Sequence, residues 1–150
     1  MTDRDELTRR EAAAWAELRS AVGALTPEQR AAPSATGEGW SVKDVLWHIA
    51  FWWDDLSRML EELRDRGDFT EGVDDDAATD AMNAQVFEIS RAMSLEDVEA
   101  GVGKASERLL AAWGAVPEVT EGAEQWFVWE TLEHYEEHLP QVRAAVVEQG

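Results

Sequence analysis

Apolar positions recur along the chain at helical spacing, and no stretch alternates in the way a half-buried strand requires. From Asp3 to about Gly23 they fall at Leu7, Ala14, Leu18 and Val22, with Leu25 just beyond. Thr26 offers an N-cap and Pro27 a first helical residue, which predicts one short turn. "APSATGEGW" reads as a loop. Ser41 then opens a long helix, with Asp44 three residues on as a capping-box variant and Trp40 and Val45 as a hydrophobic staple. That helix runs to about Arg66 and stops at Gly67. "GDFTEGVDDDAATD" is acidic and loop-like. A helix follows over about Ala77–Ala92, and Ser94 with Asp97 caps another reaching about Ala115. Pro117 to Glu124 reads as a loop. The last helix spans about Gln125–Val147, with an expected kink at the Glu136 carbonyl because Pro140 removes a donor and crowds the turn before it. The prediction is an all-α domain of four core helices and one extra.

Composition narrows this picture. One domain accounts for 150 residues, 45% of them hydrophobic, and eight tryptophans supply large core pieces. No apolar run reaches the roughly 20 residues that span a bilayer. The charged start "MTDRDELTRR" does not read as a signal peptide, so a cytoplasmic protein with no membrane partner is the expectation. Without cysteine there is no disulfide, thiolate ligand or cysteine nucleophile. The net charge of -19, with no basic cluster, argues against a nucleic-acid partner. Acidity serves solubility first, and attraction of cations or metal ions second.

The chemistry gathers at the histidines, of which the chain has three. On the last helix Val128, Leu132, Tyr135, Leu139, Val142 and Val146 form an apolar stripe. His134 and His138 stand one turn apart at its edge, beside Phe127, Thr131 and Ala145. On the Ser41 helix the stripe is Val45, Ile49, Trp53, Leu56, Leu60 and Leu63, with His48 at its edge near Trp52, Asp55 and Met59. Imidazoles at i and i+4 can reach one ion, and His48 can join them if the helices are neighbours. Three nitrogen ligands with an open position suit a catalytic zinc, nickel or iron site. The plainer alternative is surface residues, or core histidines hydrogen-bonded separately. H-E-x-x-H is ruled out because Tyr135 follows His134. Glu137 is a candidate base or outer carboxylate, though a solvated helix residue is the simpler reading. Trp52 and Phe127 are candidate pocket walls, and Asn83 can reach the pocket from the helix after the acidic loop. Asp44 and Asp55 are candidates to orient His48 through its second nitrogen. No G-x-S-x-G, Walker A or G-x-G-x-x-G element is present.

"GWSVKDVLWHIAFWWDDL" (Gly39 to Leu56) together with "TLEHYEEHLPQVRA" (Thr131 to Ala144) resembles the DinB/YfiT-like superfamily, and "ATDAMNAQVFEISRAMSLEDV" fits its middle. The resemblance covers nearly the whole chain, residues 1–150 forming a single DinB-like domain. It implies a four-helix bundle with a long crossover between the second and third core helices, here about Arg66 to Met93. It also implies that His48, His134 and His138 bind one divalent metal. The superfamily includes mycothiol-dependent maleylpyruvate isomerase and bacillithiol transferases. The expectation is therefore a divalent-metal-dependent enzyme acting on a small molecule, by hydrolysis or by transfer or isomerisation that uses a low-molecular-weight thiol. A non-catalytic metal- or small-molecule-binding stress protein is the alternative. Trp47 and Phe51, on the side of their helix away from the core stripe, suggest a homodimer contact, which the resemblance also allows.

Overall fold

The computed structural model describes residues 3–33, 39–73 and 75–149, with side chains as far as Ala145. Most of the loop expected over 32–40, Asp74 in the acidic stretch, and the Val146 side chain of the last apolar stripe lie outside the described residues. Among the described residues every regular element is helical, and no helix is long and apolar enough to cross a membrane.

Local capping sets most boundaries. Helix α1 (Arg4–Gly23) starts where the Asp3 side chain accepts from the Asp5 amide. The short α2 (Pro27–Ala31) follows a Thr26–Gln29 capping box. The longest helix, α3 (Val42–Arg66), is opened by the Ser41–Asp44 box and closed by Gly67, whose φ of 82° suits a residue without a Cβ. Helix α4 (Asp76–Ser90) is capped by Asp75, and α5 (Leu95–Ala115) by Ser94. The final rod begins at α6 (Glu121–Val128), capped by Thr120, so it starts earlier than the expected Gln125. It is not one regular helix. A π turn, Trp129–Glu133, separates α6 from α7 (His134–Gln149), and Pro140 lies inside α7.

Helix α3 is the hub. It packs most extensively on α5 and also meets α4 and α7, while α1 lies along α7. Its inward stripe (Val45, Ile49, Trp53, Leu56 and Leu60) is almost fully buried, each large side chain contributing about 1.5–3 kcal/mol against exposure. Trp113 of α5 stacks on Phe127 of α6 with centroids 4.0 Å apart. On the other side, Trp47 departs from its expected role as an exposed contact. Its ring lies over Gly101 of α5, where an added Cβ would come within 2.5 Å of it. Phe51 is half-buried and meets the Trp52 ring edge-on. The aromatic surface that suggested a dimer is thus partly used inside the chain.

Candidate metal centre

Helix α3 supplies His48, and α7 supplies His134 at its first residue and His138 one turn later. The three rings converge. Centroid separations are 4.9 Å for His48–His134, 4.9 Å for His48–His138 and 4.6 Å for His134–His138. One nitrogen from each lies within 4.8 Å of the others, and residue exposures are only 6%, 8% and 5% in chain order.

The hydrogen bonding around the rings is incomplete in an informative way. His48 Nε2 and His134 Nε2 stand 2.9 Å apart, so at most one proton lies between them. His138 Nδ1 lies 2.6 Å from Gln141 Oε1. An amide oxygen only accepts, so Nδ1 carries the proton. That leaves His138 Nε2 buried with no partner, and His48 Nδ1 and His134 Nδ1 are also buried and unpartnered. An unpartnered buried nitrogen costs about 1–3 kcal/mol, and at His138 an ion held beside the facing Nε2 atoms of His48 and His134 would satisfy it. Burial, reinforced by the neighbouring His138, pushes the His48 pKa down to about 3, against an opposing Asn83. Burial and the two other imidazoles hold His134 well below its ordinary value, against the Glu130 carbonyl. Neutral imidazole is the form that binds a divalent ion, and an all-nitrogen set suits zinc, nickel or iron. The residues fit such an ion.

The triad opens into a cavity of about 650 Å³, within the range of small-molecule sites. Trp40 stacks on Phe87 with centroids 5.4 Å apart and meets His48 at 5.3 Å. Trp52 Nε1 donates to Asn83 Oδ1 at 2.9 Å, tying α3 to α4 along one wall. Glu137 and Asp80 are exposed where they line the cavity, and Trp129 is 40% exposed there.

Trp52, Asn83 and Glu137 therefore line the same cavity as the three histidines. Phe127 does not; it is fully buried in the core against Trp113. Asp44 does not orient His48, because Ser41 and Ser90 occupy its oxygens. Asp55 is engaged by Arg58. Of the lining residues that were not anticipated, two adjoin the histidines in sequence. Gln141 orients His138 from three positions on. Glu130, half-buried one turn before His134, has its pKa raised to about 8 by burial and by the charges of Asp55 and Glu137. Their spacing from the histidines was the available signal, but i−4 and i+3 polar residues are too common on helices to single out.

Buried imidazoles converging from two packed helices, with a cleft beside them, define a helical protein with a candidate metal site. The family description matching residues 12–145 is the mycothiol maleylpyruvate isomerase N-terminal domain, and the chain belongs to that family within the DinB-like superfamily. No curated protein and no solved structure matches the chain.

Proposed function

We propose that this domain is a divalent-metal-dependent enzyme acting on a small molecule, with His48, His134 and His138 as the metal ligands. The observation that carries the reading is the buried, unpartnered Nε2 of His138 beside two further imidazoles. On this reading α1, α3, α5 and the α6–α7 rod form a four-helix bundle, with α4 in the crossover. A bound divalent ion supplies Lewis acidity, for polarising a substrate group or holding a thiolate. The chain does the rest. Gln141 fixes the His138 tautomer, the Trp52–Asn83 bond holds the wall, and Trp40 and Phe87 exclude water from one side. Glu130, protonated at neutral pH, can donate a hydrogen bond into the cleft, and Glu137 offers a second carboxyl group at its mouth. Membership of the mycothiol maleylpyruvate isomerase family favours thiol-dependent transfer or isomerisation over hydrolysis.

The test begins with elemental analysis of the purified protein. Loaded protein is then incubated with a low-molecular-weight thiol and a panel of electrophiles. The expected result is one equivalent of divalent metal and thiol consumption that chelator abolishes. Full loading with neither thiol consumption nor hydrolysis would favour a binding protein instead.

A further inference from the structure

The cleft has a charge pattern of its own. Asp80 of α4 and Glu137 of α7 are exposed where they line it, Glu130 lies deeper, and among the described residues no lysine or arginine does so. The nearby cations are committed elsewhere. Lys43 Nζ donates to the Met93 carbonyl at 2.6 Å. Arg58 is held by Asp55 and Glu62. Arg91 pairs with Glu88 and lies over Phe87 without lining the cleft. The exposed Trp129 lines the same cleft and adds an aromatic face to it.

These features divide the cleft into two chemically distinct ends. The buried floor is made of the three imidazoles, among which His138 Nε2 lacks a partner. Such a floor receives a lone-pair donor once an ion is held there, because three neutral ligands leave the ion's charge uncompensated. The rim combines carboxylates with an indole, the pairing that recognises an organic ammonium through charge and ring quadrupole together. We propose that the substrate or co-substrate is a bipolar molecule, with a donor group directed at the histidines and a cationic nitrogen bearing apolar substituents at the Asp80–Glu137–Trp129 rim. This rests on the reading of the cleft as the substrate site. A dicarboxylate would place its second acid among like charges, in a chain whose net charge is already -19.

The test uses three probes of one shape class: benzyltrimethylammonium, benzyl alcohol and phenylacetate. Each is titrated by tryptophan fluorescence into chelator-treated and zinc-treated protein, with zinc uptake measured separately. In chelator the cation should bind about tenfold tighter than the alcohol, and phenylacetate more weakly than either. Added salt should narrow the gap between cation and alcohol. The double variant Asp80→Asn, Glu137→Gln changes only exposed residues, so folding is not at risk. It should erase most of the gap and leave benzyl alcohol affinity unchanged. Phenylacetate matching the cation in chelator, or a double variant that keeps the preference, would overturn the proposal. If the parent takes up no zinc, the metal reading fails while the chelator titrations still decide the rim preference. If zinc is taken up without a cation preference, only the rim proposal fails.

Discussion

Helix α3 carries two buried polar groups one turn apart, Asp44 and His48, and they are built on opposite terms. Asp44 accepts from the Ser41 amide at 2.9 Å, the Ser41 hydroxyl at 2.8 Å and the Ser90 hydroxyl at 2.6 Å. Its capping partner Ser41 in turn accepts from the Asp44 amide. That cluster is saturated from within the chain and joins the start of α3 to the end of α4. His48 sits among two more imidazoles with nitrogens left over. A saturated buried cluster stabilises the fold that surrounds it; an unsaturated one points to something the chain does not itself supply.

The contrast breaks most sharply at His48. His48→Ala should lower divalent-metal affinity by more than about 100-fold, beyond the 10–100-fold typical of residues that only support a ligand. Competition with a chromogenic chelator measures this, and parent-like affinity would place the ion elsewhere. Asp44→Ala should do the reverse. Losing half of the capping box and leaving the Ser41 amide short of an acceptor should cost about 1–3 kcal/mol in urea unfolding. Metal affinity of the folded protein should barely change.

Acid sharpens the same comparison. His48 has a folded pKa of about 3 against 6.5 for a free imidazole. Between those values the unfolded chain binds a proton that the folded chain refuses, so this group makes stability fall as pH drops below about 6.5. Glu130 works in the opposite sense. Its raised pKa means the folded state keeps a proton the unfolded chain releases between about pH 4.5 and 8, so its contribution falls as pH rises. Comparing parent with His48→Ala in chelator isolates the histidine. The variant should gain on the parent by roughly 1.4 kcal/mol for each pH unit between about 6 and 3. A difference independent of pH would show that His48 titrates freely in the fold. The smallest expected effect is at Gln141. Replacing it with leucine should weaken metal binding about tenfold, because His138 loses the acceptor that fixes its tautomer. An unchanged affinity would mean that packing alone holds the ring.

Features written in short stretches of sequence were readable there. Thr26 with Pro27, Ser41 with Asp44, and Ser94 with its following turn all start helices where a side-chain oxygen meets a free amide. The i, i+4 spacing of His134 and His138 also survives, because both lie in regular α7. Phe127 was misplaced for a definite reason. A wheel drawn at constant pitch across the last helix ignores the π turn at Trp129–Glu133. A π turn takes one residue more than an α turn, which offsets everything before it by about 100°. Phe127 therefore rotates from the histidine edge into the core. Nothing in the local pattern marks that turn. Glu11 was invisible for a different reason: its buried carboxyl is satisfied by Tyr135, distant in sequence, which donates to it at 2.9 Å.

The Trp47 ring over Gly101 has a mechanical consequence. Residues 47 and 48 project from α3 about 100° apart, so whatever fixes one fixes the angular setting of the other. A side chain at 101 would collide with the indole; its lack makes a notch in α5 into which the ring fits, like a key in a shaft. With the key seated, α3 can neither spin about its axis nor slide along α5 without unseating a large aromatic. His48 is thereby indexed against α7 by a contact on another face of its own helix.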